Sequence, residues 1–210
     1  MAEVHIDLKS IGDGLVREEL QALNIDLGLG LTAEAVSVYG GSYPHVRMVP
    51  PVRKRGERNG SDVLCALSHL DPELYGRLIP VEGSHTALTN LYDQGSSIAY
   101  HTIHLPYHDE EVRREIARWL SRNGYPEGEV YTALSNPDLL MQVAQQPDSR
   151  YIFSKEPDPL IESANRMSIS ELFDKIFARI GLVAVGWSHI PYMKGETPFV
   201  SVTPLPSWDL

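Results

Sequence analysis

From residue 81 onward the chain alternates between short β-branched or aromatic runs and amphipathic stretches of helical period. No other feature constrains the fold as tightly. Ser97–Thr102, Val130–Ala133, Tyr151–Ser154 and Leu182–Trp187 read as strands. Between and around them, Ser84–Gln94, Asp109–Asn123, Pro137–Gln146 and Ser170–Ile180 read as helices. The helix over 109–123 is the clearest, because Val112, Ile116 and Leu120 fall on one face and Gly124 supplies the stop. Val4–Leu8 adds a short buried strand at the start, broken from a helical stretch, Leu15–Leu23, by Gly12-Asp13-Gly14. Strands that recur with helices between them predict an α/β fold, a parallel sheet with helices on both faces. Such sheets bind ligands beyond the carboxyl ends of their strands. The candidate site residues are therefore those that end or follow strands: Asp7, Lys9, Thr102, His104, Lys155 and Glu156.

Residues 24–78 follow a different rhythm. Thr32 caps a helical run, a Gly- and Pro-rich passage extends from Gly40 to Gly60, and two further helical stretches follow. These are Ser61–Ser68 and Asp71–Leu78, the second capped by Asp71 with Pro72 in its first turn. The expected organisation is an α/β core from 1–23 and 79–210, with 24–78 inserted as a small helical cap. No fixed-period repeat and no low-complexity segment interrupts it.

The formal net charge of −10 opposes bulk electrostatic binding of nucleic acid. One basic run, Arg53-Lys54-Arg55 with Arg58, lies among prolines and glycines. It reads as a solvated loop, or as a clamp for a single phosphate or carboxylate. No apolar run approaches the ~18–20 residues that span a bilayer. Met1–His5 lacks the basic and apolar regions of a secretory signal. A single cysteine, Cys65, permits no internal disulfide and fits a reducing, cytoplasmic setting. Its apolar neighbours Leu64, Ala66 and Leu67 make it a packing residue.

Several ordered segments carry a resemblance. Leu23–Gly28 with Leu31–Glu34, Tyr75–Gly83, Leu91–Thr102 and Trp119–Pro126 stand in sequence order, followed by Pro191-Tyr192-Met193 and Ser207-Trp208-Asp209-Leu210. Together they resemble the haloacid dehalogenase-like superfamily, and within it the 5′(3′)-deoxyribonucleotidase-like branch. The resemblance implies a Rossmann-like core and a hydrolase-like, nucleotidase-like site. It implies an Asp-x-Asp after the first strand, a Ser or Thr after the second, a Lys in a third motif, and paired acids that hold Mg²⁺.

This chain departs from that pattern at its charged positions. Asp7 stands where the family has its nucleophilic carboxylate, which forms an aspartyl-phosphate. The partner acid is replaced by Lys9, able to donate a proton but, at an ordinary pKa of ~10.4, a poor base. Thr102 matches the hydroxyl of the second motif. The window Ala133–Val143 holds no Lys or Arg. Lys155-Glu156 stands where paired acids are expected, and an ammonium there opposes Mg²⁺. The expectation is a degenerate active site, a pseudoenzyme without Mg²⁺ or another cofactor, in which Lys9 and Lys155 supply positive charge. It would bind a small anionic, nucleotide-like ligand or a protein partner. The alternative is a divergent, metal-independent hydrolase that still uses Asp7.

His101, His104 and His108 have a spacing that could supply transition-metal ligands. Residues three apart on a strand face opposite sides, however, which argues against a closed zinc set. His104, just beyond Thr102 at the mouth of the expected pocket, is a candidate base or ligand contact, or simply a surface histidine.

Overall fold

The computed structural model describes residues 2–13, 72–103, 108–168, 171–189 and 197–208. Six parallel strands form one sheet in the order β5-β4-β1-β6-β7-β8. They are β1 (Glu3–Asp7), β4 (Ser97–Ile103), β5 (Glu129–Ala133), β6 (Ser149–Ser154), β7 (Gly181–Val185) and β8 (Ser201–Leu205). Two-residue strands β2 (Gly12–Asp13) and β3 (Ile79–Pro80) pair antiparallel beside it. The helices are α1 (Ser84–Asp93), α2 (Asp109–Arg122), α3 (Asn136–Gln145), α4 (Pro157–Met167) and α5 (Glu171–Phe177). This is the α/β architecture expected from the strand–helix alternation.

The two faces of the sheet carry separate apolar layers. On one, Val4, Ile6, Tyr100 and Phe153 pack against Leu88 of α1 and Ile116 and Trp119 of α2. On the other, Ile152 and Leu182 pack against Leu140 of α3, Leu160 of α4 and Phe177 of α5. Neighbouring residues of β6 thus serve opposite layers, as the period of two requires. Covering both faces explains why β1 and β4 are buried almost throughout. Gly128 allows β5 to close on β4, because a Cβ there would collide with the Ile98 carbonyl oxygen.

Two elements are not predicted from the sequence, and a third takes a different form. Helix α4 opens on Pro157 and Pro159, positions in the first turn where a missing N–H costs nothing. Strand β8 contains Pro204 and survives because it is an edge strand. The helix expected over Asp71–Leu78 is a 3₁₀ helix over Pro72–Arg77, with Gly76 weakening any α-helical continuation. Its Tyr75, with Leu78, is buried in the layer of α2, and the Trp119 indole donates to the Leu78 carbonyl at 2.7 Å. The rest of the expected cap, 24–71, lies outside the described residues, as do Leu15–Leu23, Cys65 and the basic run 53–58. Among the described residues no helix is long and apolar enough to cross a membrane.

Candidate functional site

Asp7 ends β1, a central strand, and starts a 3₁₀ turn over Leu8–Ser10. Its position follows from the short N-terminal strand: the sheet delivers the carboxylate to its carboxyl edge, and the turn then folds the next residues back over it. Asp7 Oδ1 accepts from the Lys9 backbone N–H at 3.2 Å. Its Oδ2 accepts from the Ser154 hydroxyl at 3.0 Å. The Ser10 hydroxyl donates to the Asp7 carbonyl at 2.6 Å, closing the turn. Trp208, stacked on Phe153 at 5.3 Å, donates its indole N–H to the Ser10 carbonyl at 2.8 Å. A residue far along the chain thereby fastens the Asp7 turn from below.

The Lys9 ammonium reaches across to Glu156, with Nζ 2.9 Å from Oε2. The two ends of that pair differ in freedom: the Lys9 side chain is 12% exposed and that of Glu156 42%. Glu156 caps the start of α4, and its backbone N–H donates to Ser154 Oγ at 3.1 Å. Ser154 therefore links the Asp7 carboxylate to the backbone of the Lys9 partner.

A cavity of about 120 Å³ opens here, with Asp7, Lys9, Ser154, Glu156 and Asn136 as its polar lining. Ile103, Leu139 and Leu160 form its apolar wall. Burial pushes the Asp7 carboxyl above its usual range. The Lys9 ammonium and the two hydrogen bonds draw it back down, while the Glu156 carboxylate pushes it up. The hard oxygen donors that face the cavity thus share it with an ammonium.

The sequence-derived candidates do not all meet. Asp7, Lys9 and Glu156 do. Lys155 is not among the cavity-lining residues, and its carbonyl accepts from the Trp187 indole at 3.2 Å. Thr102 is buried and pairs in register with Thr132. Asp7 is the register partner of His101, so strand alternation puts Thr102 on the α1–α2 face, opposite Asp7. His104 lies outside the described residues. Sequence reasoning misses Ser154 and Asn136, although Ser154 ends β6 and Asn136 sits in the window where a Lys is expected. At the end of the expected strand Tyr151–Ser154, Lys155 and Glu156 draw the attention that belongs to Ser154, and in the window 133–143 only a Lys or Arg is sought.

A second polar group lies on the same face of the sheet. His5 Nδ1 and His101 Nε2 are 2.8 Å apart, and His5 Nε2 is 2.7 Å from Ser149 Oγ. Because Ser149 donates to the Val143 carbonyl at 2.9 Å, it accepts from His5. His5 therefore carries its proton on Nε2, and its bare Nδ1 accepts from His101 Nε2–H. His101 Nδ1 is buried without a partner, and its ring stacks on Tyr131 at 5.1 Å. Burial lowers His5 to about 4; burial and the neighbouring His5 lower His101 to about 3. Among the described residues no three metal-ligating side chains cluster.

The sequence matches no protein-family model and no curated protein. Solved structures do match. YfnB from Bacillus subtilis, assigned as a HAD-hydrolase and solved bound to magnesium, aligns at TM-score 0.55 and 12% identity, covering 99% of this chain and 95% of its own. The fold is haloacid dehalogenase-like. A protein from Bacteroides fragilis assigned as a haloacid dehalogenase-like hydrolase aligns at TM-score 0.47 and 12% identity, covering 98% of each chain. A haloacid dehalogenase-like family hydrolase from Xanthomonas campestris aligns at 0.44 and 10%, covering 99% of this chain and 91% of its own.

Proposed function

We propose that this haloacid dehalogenase-like chain has given up Mg²⁺-dependent phosphatase turnover and uses its pocket to bind a small anionic molecule through Lys9. The ion pair between Lys9 and Glu156, at 2.9 Å, carries this reading. Mg²⁺ takes about six hard oxygen ligands in near-octahedral geometry. Here a carboxylate that would serve as one is already held by an ammonium. A divalent ion about 4 Å from that ammonium meets a repulsion of about 8 kcal/mol at an effective dielectric constant of about 20. The residues do not fit the metal. In addition, Lys9 replaces the acid that would protonate a leaving group and then activate water, and an ammonium performs only the first of those tasks.

The positive end of Lys9 suits an oxoanion. Asn136 and Ser154 add neutral hydrogen-bonding groups, and Ile103, Leu139 and Leu160 offer an apolar wall to the rest of the ligand. The nucleotidase-like resemblance makes a nucleotide-like molecule one candidate. A protein partner is the other.

A second reading has its own observation. Two hydrogen bonds fix the Asp7 carboxylate at the cavity, as a nucleophile requires. On that reading the chain is a divergent, metal-independent hydrolase.

Phosphate release from deoxynucleoside monophosphates and p-nitrophenyl phosphate tests both. The expected result is no release that Mg²⁺ stimulates. Robust turnover that disappears in Asp7→Asn overturns the binding-only reading. A thermal-shift screen with nucleotides then separates a ligand pocket from a partner-binding module, since the latter ignores small anions.

A further inference from the structure

The pairing of Lys9 has an asymmetry that bears on how a ligand enters. Lys9 is nearly enclosed, while the Glu156 side chain is half-exposed. The Glu156 backbone, in contrast, is fixed: its N–H is bonded to Ser154 Oγ and Pro157 follows at the start of α4. Its carboxylate can therefore leave the ammonium by side-chain rotation alone, with no movement of helix or sheet. Lys9 has no equivalent freedom, because its side chain is enclosed where that of Glu156 borders solvent.

We propose that Glu156 is a tethered competitor for this pocket, its carboxylate occupying the Lys9 ammonium until the oxoanion of a small ligand displaces it. The inference rests on the anion-binding reading above and adds its regulation. An entering phosphate or carboxylate head group exchanges one charge-assisted hydrogen bond for another at Lys9. Glu156 swings into solvent, where the loss of its partner costs little because it was already half-solvated. The Ser154 bridge to Asp7 stays in place, so the floor of the pocket is unchanged. Ligand affinity is thereby set as a difference, the ligand's attraction to Lys9 less that of Glu156. The tethered carboxylate lowers the apparent affinity of every anion at Lys9 by the same modest factor.

The test is isothermal titration of the full chain with inorganic phosphate and, separately, with acetate. The two arms distinguish a phosphoryl from a carboxylate head group. Glu156→Gln keeps the size of the side chain and removes its charge. Displacing a half-exposed ion pair predicts a gain in affinity of roughly two- to fivefold for the anion that binds. Lys9→Met abolishes that binding. Glu162→Gln, which removes an equal charge from the exposed face of α4, where Glu162 pairs with Arg166, gives a smaller gain than Glu156→Gln. Binding that appears only in Glu156→Gln also supports the competitor role. Equal affinity in wild type and Glu156→Gln overturns it while leaving the anion pocket intact. Absence of binding in both, with unfolding curves that show the variant folded, overturns the anion pocket and the competitor together.

Discussion

Acid should destabilise this fold through the His5–His101 pair, and the size of the effect follows from the geometry. Each ring is buried and neutral, with its single proton already assigned by the chain Ser149–His5–His101. Protonating His5 would set a new N–H against the N–H of His101. Protonating His101 would put a charge beside Tyr131 in a buried layer. Titratable groups beside the pair include Glu3, with Oε2 3.5 Å from His5 Nε2, the stacked Tyr131, and Asp7, the register partner of His101. In the unfolded chain both rings titrate near 6.5; in the fold they titrate at about 4 and about 3. Folded values below unfolded ones mean that the unfolded state binds more protons as pH falls. Stability is thus fully present above 6.5 and is lost as pH drops toward the folded values. Integrating the linkage relation to pH 4.5 gives a loss on the order of a few kcal/mol for the pair as a unit. Raised carboxyls at Asp7 and Glu3 act in the opposite sense and return part of that loss at the acid end. Urea unfolding at pH 7.5, 6.0 and 4.5 measures the slope. His101→Phe keeps an aromatic ring against Tyr131, removes one titration and leaves His5 Nδ1 without its donor. It should cost ~1–3 kcal/mol at pH 7.5 and flatten the slope by about 1.4 kcal/mol per pH unit below 6. A wild-type stability that is flat from pH 7.5 to 4.5, or an unchanged slope in His101→Phe, would refute the reasoning.

Two other outcomes follow from the site itself. Asp7→Asn should raise the melting temperature at pH 7.5, since burial disfavours the ionised carboxylate there, and the gain should shrink as pH falls and Asp7 takes up its proton; a lower melting temperature at pH 7.5 contradicts this. Trp208→Phe keeps the stack on Phe153 but leaves the Ser10 carbonyl without its indole donor. The expected loss is ~1–3 kcal/mol by chemical denaturation, and a shift below about 0.5 kcal/mol, the size of an ordinary surface substitution, would exclude it.

Much of the sheet was legible in the chain because its signals are local. Helix α2 runs Asp109–Arg122 against an expected 109–123, since four-residue spacing and a closing glycine need no tertiary information. Strand β4 is equally plain, running Ser97–Ile103 against an expected 97–102. Two elements carry no such local signal: α4 begins with Pro157 and Pro159, and β8 holds Pro204 at an edge position that tolerates it. Whether a missing N–H matters depends on what would have accepted it, and only the fold decides that. The site was legible where side chains are charged and adjacent to strand ends, as with Asp7, Lys9 and Glu156. It was not legible where partnership spans the chain. Ser154 acquires its role from Asp7, 147 residues away, and His5 acquires its tautomer from His101, 96 residues away. Thr102 illustrates the limit most sharply: a register set by Asp7 and His101 turns its side chain to the opposite layer, and one residue of register inverts every face.

If the Lys9 ammonium stands where a metal ion would have to sit, Mg²⁺ should leave the fold's stability unchanged. Thermal unfolding of the wild-type chain against increasing MgCl₂, with NaCl holding ionic strength constant, tests this directly. A site with a Kd of about 1 mM would stabilise the fold by about 1.4 kcal/mol at about 10 mM Mg²⁺. The expected result is no such rise. A saturable increase in melting temperature that Asp7→Asn abolishes would contradict it.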